Sequence, residues 1–132
     1  TELEMVAAYV FLMKIRFGEN LQVQLNVPQE YFSSSIPPLT LQMLLENAIK
    51  HNIISMERPL HINVYVEKGS LLVKNNLQKK AVRDGESTKI GLQNIINRYS
   101  YLTENNVDVI TTSDNFIVAL PVLEFQKQEA LV

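Results

Sequence analysis

Hydrophobic and polar positions follow two alternating periods along this chain. Over residues 1–17, Leu3, Val6, Val10, Met13 and Phe17 recur at intervals of 3, 4, 3 and 4, the stripe of an amphipathic helix. Gly18 stands where that helix would stop, because glycine takes the left-handed position after a helix without a Cβ penalty. Leu21, Val23, Leu25 and Val27 then alternate with Gln22, Gln24 and Asn26, a half-buried strand closed by Pro28. The helical period returns after Leu39, with Leu41, Leu44, Leu45 and Ala48 on one face and Met43, Asn47, Lys50 and His51 on another. Leu60, Ile62, Val64 and Val66 alternate as a strand, and Lys68-Gly69 turns the chain into a short strand, Leu71 to Val73. Residues 75–88 are polar, carry Asp84 and Gly85, and read as a mobile loop. Leu92, Ile95, Ile96, Tyr99 and Leu102 mark a third helix. Val107 to Ile110 and Phe116 to Val122 are the last strands, joined through Ser113-Asp114-Asn115. The polar stretch 123–132 reads as a loose tail.

The order is helix, strand, helix, two strands, helix, two strands. Strands joined by short turns pair antiparallel, and the helices gather on one face. The expected fold is therefore α+β: a two-layer sandwich with a mixed, mostly antiparallel sheet, in one domain over residues 1–132.

Composition narrows the function classes. A hydrophobic share of 46% suits a packed core, and 20% charged residues is too few for a disordered chain. A net charge of -2 argues against a general nucleic-acid binder, which needs a basic excess. Zero cysteines exclude a disulfide framework, a cysteine zinc site and a thiolate nucleophile. No apolar run reaches the roughly 18–20 residues that span a bilayer. The four glycines, Gly18, Gly69, Gly85 and Gly91, cannot build a glycine-rich phosphate loop, so any nucleotide site must rest on other groups.

The densest polar cluster is Glu46, Asn47, Lys50 and His51 on the central helix. An amide oxygen is a hard ligand suited to magnesium, an ammonium suits phosphate oxygens, and an imidazole donates or stacks. Glu46 and Lys50 also have the i, i+4 spacing of an ordinary exposed ion pair, and spacing alone favours that plainer reading. His61 alternates outward on its strand and reads as a surface residue.

Residues 37–53, PPLTLQMLLENAIKHNI, resemble the N box of the LytS-like sensor histidine kinases. KIRFGENLQVQLNVP (14–28), LLVKNNLQKK (71–80), STKIGLQNIINRY (87–99) and FIVALPV (116–122) resemble other segments of that family, in the same order. The resemblance implies a Bergerat-type fold, shared with gyrase and Hsp90, with ATP between the helices and a flexible lid, here at roughly 77–90. It implies that Asn47 coordinates magnesium bridging the ATP phosphates, that Lys50 contacts phosphate and that His51 lines the pocket. Asn75 and Asn76 take the place of the family's first glycine box, DxGxG, followed by Leu77. Lys89, Gly91 and Leu92 take the place of the second, GxGL. Asn75 would accept from the adenine amino group, and Lys89 would either offer its ammonium to phosphate or obstruct the close backbone approach that glycine permits. Met43 replaces a polar residue common one turn before the magnesium asparagine, leaving Glu46 or Gln42 to orient the acceptor or a water. Arg98 is shared with the family motif and equally suits a structural ion pair.

The resemblance also implies partners. The phosphorylated histidine belongs to a dimerisation segment N-terminal to such a domain, so His51 is not the acceptor. The chain would then be a fragment of a homodimeric kinase, the cytoplasmic domain of an inner-membrane protein, passing phosphate to a response regulator. Alone it would not phosphorylate itself. A degenerate module kept for protein interaction is the alternative, motivated by Asn75, Leu77 and Lys89. An ATPase of the gyrase or Hsp90 kind is disfavoured by Met43, which cannot act as a general base.

Overall fold

A computed structural model describes residues 2–28, 40–78, 85–102 and 105–122, with side chains described over 4–28, 40–78, 91–101 and 105–122. Helix α1 (Glu2–Phe17) and one 3₁₀ turn (Gly18–Asn20) lead into β1 (Leu21–Asn26). Helix α2 (Thr40–His51), β2 (Leu60–Glu67), β3 (Ser70–Asn76), α3 (Gly85–Leu102), β4 (Asp108–Thr111) and β5 (Asn115–Pro121) follow. The sheet order is β1-β2-β3-β5-β4. β1 and β2 run parallel, because α2 carries the chain back across the sheet between them. The other pairs are antiparallel.

Local chemistry explains the corners. Gly18 ends α1 at φ +60°, and the Lys14 ammonium donates to the carbonyls of Gly18 at 3.1 Å and Leu21 at 2.6 Å. Lys68 and Gly69 both have positive φ, 51° and 77°, as a tight hairpin whose turn must match the twist of its strands requires. Between β4 and β5, the Thr112 hydroxyl accepts from the backbone N–H of Asn115 at 3.0 Å.

The core lies between one face of the sheet and the helices. Alternate strand residues supply it: Leu21, Leu60, Ile62, Val64, Leu71, Val73, Val118 and Leu120 are all buried. Val6 from α1, Leu41, Leu44, Leu45 and Ala48 from α2, and Ile95 and Tyr99 from α3 close it from above. This is the α+β sandwich the periodicity predicts.

Three details differ from the expectation. The polar stretch 75–88 is not one loop: Asn75 and Asn76 pair with Phe116 and Asn115 in the sheet, and α3 already begins at Gly85. Ladder bonds use the backbone, so two asparagines sit in a strand despite poor propensity. For the same reason the strand read as Leu71–Val73 runs from Ser70 to Asn76. Helix α1, in turn, has apolar residues on two faces. Val6 is buried on one, while Phe11, Leu12 and Ile15 on the other are 66%, 58% and 68% exposed. Residues 29–39, 79–84 (part of the expected lid), 103–104 and 123–132 (the expected tail) lie outside the described residues.

Candidate functional site

Helix α2 is anchored by its apolar face, which leaves its polar side chains held at fixed positions over the sheet. The structure divides those side chains between two neighbours. On the α1 side, Glu46, Ile49 and Lys50 line a groove of about 350 Å³ with Tyr9, Met13, Arg16 and Phe17. Glu46 there accepts from the Gln42 side chain at 3.1 Å, and the Arg16 guanidinium lies 4.9 Å from the centre of the Phe17 ring. Burial raises the Tyr9 phenol above its ordinary value; the Glu46 carboxylate adds to the rise and Arg16 opposes it.

On the α3 side stands Asn47. A Cβ built on Gly91 would lie 3.0 Å from Asn47 Nδ2 and 3.7 Å from its Cγ. A side chain at residue 91 would press on this amide and make it give by a few tenths of an ångström. The same Nδ2 is buried and makes no hydrogen bond to any described residue. Burying an amide N–H without a partner costs free energy, so its persistence at this point marks a site shaped for something other than packing.

His51 occupies the last turn of α2 and is 7% exposed. Beside it, Asn52 donates to the Ala48 carbonyl at 2.9 Å and accepts from the backbone N–H of Gln78 at 2.8 Å. That pair of bonds ties the end of α2 to the exit of β3, where Asn75 is 2% exposed. Asn75 donates to the Asn76 carbonyl at 2.9 Å. Asn76 is occupied otherwise: its amide donates to the Pro59 carbonyl at 3.1 Å and accepts from the His61 N–H at 2.7 Å. Leu92 packs against the core, and Lys89 lies in the early part of α3 with its side chain outside the described residues.

The structure thus brings Asn47 of α2 against Gly91 of α3, and it buries His51 at the end of α2 and Asn75 in β3. It sets Glu46 and Lys50 toward α1, and it uses Asn76 as a brace. Asn52 and Gln78 escaped the sequence reading because they meet across 26 residues, beyond any periodic window. Among the described residues no cluster of three or more His, Asp or Glu side chains could hold a metal. A magnesium ion here would take one protein oxygen, from Asn47, and complete its shell with phosphate and water, which is how magnesium is commonly held.

No family model matches the chain. It is 30% identical over 117 residues to the sensor protein LytS of Enterococcus faecalis, covering 76% of this chain and 20% of that protein. It is 35% identical over 106 residues to the sensor histidine kinase YesM of Bacillus subtilis, covering 75% and 18%. The chain belongs to the LytS-like sensor histidine kinases. Two solved structures share its fold. The histidine kinase AdeS of Acinetobacter baumannii superposes with a TM-score of 0.50 at 13% identity, covering 92% of this chain and 65% of that one. The catalytic domain of the histidine kinase ThkA also gives 0.50, at 12% identity, covering 92% and 93%. The chain spans about a fifth of the length of LytS and YesM, and no described helix is long and apolar enough to cross a membrane.

Proposed function

We propose that this LytS-like chain is the ATP-binding catalytic domain of its kinase, transferring the γ-phosphate of Mg-ATP to a histidine on a dimerisation segment outside residues 1–132. The close approach of Gly91 to Asn47 carries this reading, because it leaves a buried amide N–H of α2 without a hydrogen-bond partner where α2 meets α3. Asn47 is the one residue offered to the metal, through its amide oxygen. His51 and Asn75 wall the nucleotide side. Magnesium, when bound, would neutralise phosphate charge and fix the phosphate oxygens for in-line transfer. The chain's own contribution is positioning: α2 is pinned by its leucines, so Asn47 needs no reorganisation to meet a ligand. Glu46 and Lys50, on the α1 side of the same helix, are placed to meet an incoming acceptor segment, with Glu46 orienting it and Lys50 offsetting phosphate charge. Homodimerisation, an inner-membrane anchor and transfer onward to a response regulator belong to this reading of the longer protein.

Titrating the chain with ATP in magnesium, and again in chelator, tests it. Submillimolar binding that needs magnesium and is lost in Asn47→Ala is expected. No heat and no thermal shift at millimolar ATP would remove the kinase reading. That outcome would leave the interaction module, which Asn75 and Leu77 in place of the first box and Lys89 in the second favour. Acid-labile phosphate should not form on the chain by itself, since the acceptor histidine lies elsewhere.

A further inference from the structure

Between α1 and α2 lies the groove of about 350 Å³, within the range of volumes that hold small ligands. Its floor is apolar. Tyr9, Met13 and Phe17 recur at every fourth residue of α1 and so share one face, and Ile49 of α2, 7% exposed, closes the groove from the other side. The three α1 side chains also pack against the core, which holds the floor in place. Two aromatic rings and a thioether suit the flat face of a further ring.

Two cations stand over this floor without an anion. Lys50 follows Glu46 by four residues, the spacing of a helix ion pair. Glu46 nevertheless accepts from Gln42 Nε2 at 3.1 Å, and Lys50 makes no ion pair or hydrogen bond to any described residue. The Arg16 guanidinium lies 4.9 Å from the centre of the Phe17 ring, and no described carboxylate pairs with it. Lys14, the other cation of that turn, is engaged by the carbonyls of Gly18 and Leu21. The groove therefore carries two positive charges against the single carboxylate of Glu46. Burial, with Glu46 adding to it, raises the Tyr9 phenol, so its hydroxyl stays a donor at neutral pH. A guanidinium meets a carboxylate through two parallel N–H bonds, and an ammonium adds a point charge beside it.

We propose that the groove between α1 and α2 binds a small aromatic carboxylate, its anion held by Arg16 and Lys50 and its ring laid on Met13, Phe17 and Ile49. The site lies on the opposite side of α2 from the contact between Asn47 and Gly91. It needs no nucleotide and does not rest on the ATP reading.

The test is titration of the chain with 2-naphthoate and with its uncharged isostere 2-naphthamide, followed by calorimetry and by the NMR signals of the Met13 and Ile49 methyl groups. Naphthoate should move both signals and bind with a dissociation constant below about 1 mM, with the amide about tenfold weaker. Lys50→Met and Arg16→Gln remove charge from exposed side chains, so the fold survives. Each should weaken naphthoate about fivefold and leave the amide as it was. Saturating Mg-ATP should leave the naphthoate shifts in place. Methyl signals that stay still at millimolar naphthoate, equal affinity for acid and amide, unchanged affinity in both variants, or displacement by Mg-ATP would overturn the proposal.

Discussion

Gly91 of α3 and Asn47 of α2 approach so closely that a single methyl group at residue 91 would stand 3.0 Å from the asparagine amide nitrogen. Gly91→Ala should therefore separate binding from stability. A helix prefers alanine to glycine by about 0.5–1 kcal/mol, so the melting temperature should hold or rise. Mg-ATP affinity should fall by about tenfold as Asn47 is pushed aside. In an Asn47→Ala background the same change should cost no further affinity, because the residue it displaces is gone. Paired melting and titration experiments check this, and equal affinities for Gly91→Ala and wild type would count against the shared site.

Tyr99 is 1% exposed, and its buried hydroxyl has no hydrogen-bond partner among the described residues. Removing an unsatisfied polar atom while keeping the ring should not weaken the fold. Tyr99→Phe is expected to gain about 1 kcal/mol in denaturant unfolding, whereas Tyr99→Ala should lose about 3–5 kcal/mol from the cavity.

Burial also raises the Tyr99 phenol well above its ordinary value of 10.0. The folded state then holds a proton that the unfolded state releases. Stability from this group is intact below pH 10 and falls as pH climbs beyond it, by at most about 1.4 kcal/mol per pH unit. Tyr99→Phe should flatten that alkaline decline. Denaturant midpoints at pH 9 to 11, compared between the two proteins, measure it; parallel curves would contradict the burial account. Tyr9, also raised, remains in both and cancels.

The two faces of α1 should respond oppositely to substitution. Val6 is wholly buried, and Val6→Ala should destabilise by about 2 kcal/mol. Phe11 and Ile15 are 66% and 68% exposed, and Phe11→Gln with Ile15→Gln should change stability by less than about 0.5 kcal/mol. Chemical denaturation separates the cases.

Periodicity alone determined a large part of this protein. Three helices, five strands and their order follow from where Leu, Ile and Val recur, because burial of one face is a local, repeating demand on sequence. The anchoring of α2 by Leu41, Leu44, Leu45 and Ala48 was equally legible, as was the outward side chain of His61. Motif resemblance pointed to Asn47 and Gly91 separately.

Only the tertiary structure decided which of these residues meet. It set Glu46 and Lys50 toward α1 and Asn47 toward α3, although all three sit within five residues of one helix. It turned Asn76 from a cleft residue into a brace and drew Asn52 and Gln78 together across 26 residues. The physical reason is that a helix or strand repeats its own geometry, while a contact between elements depends on how far each is displaced by packing. No periodic pattern carries that distance, so the close approach of Gly91 to the Asn47 amide exists only in the folded chain.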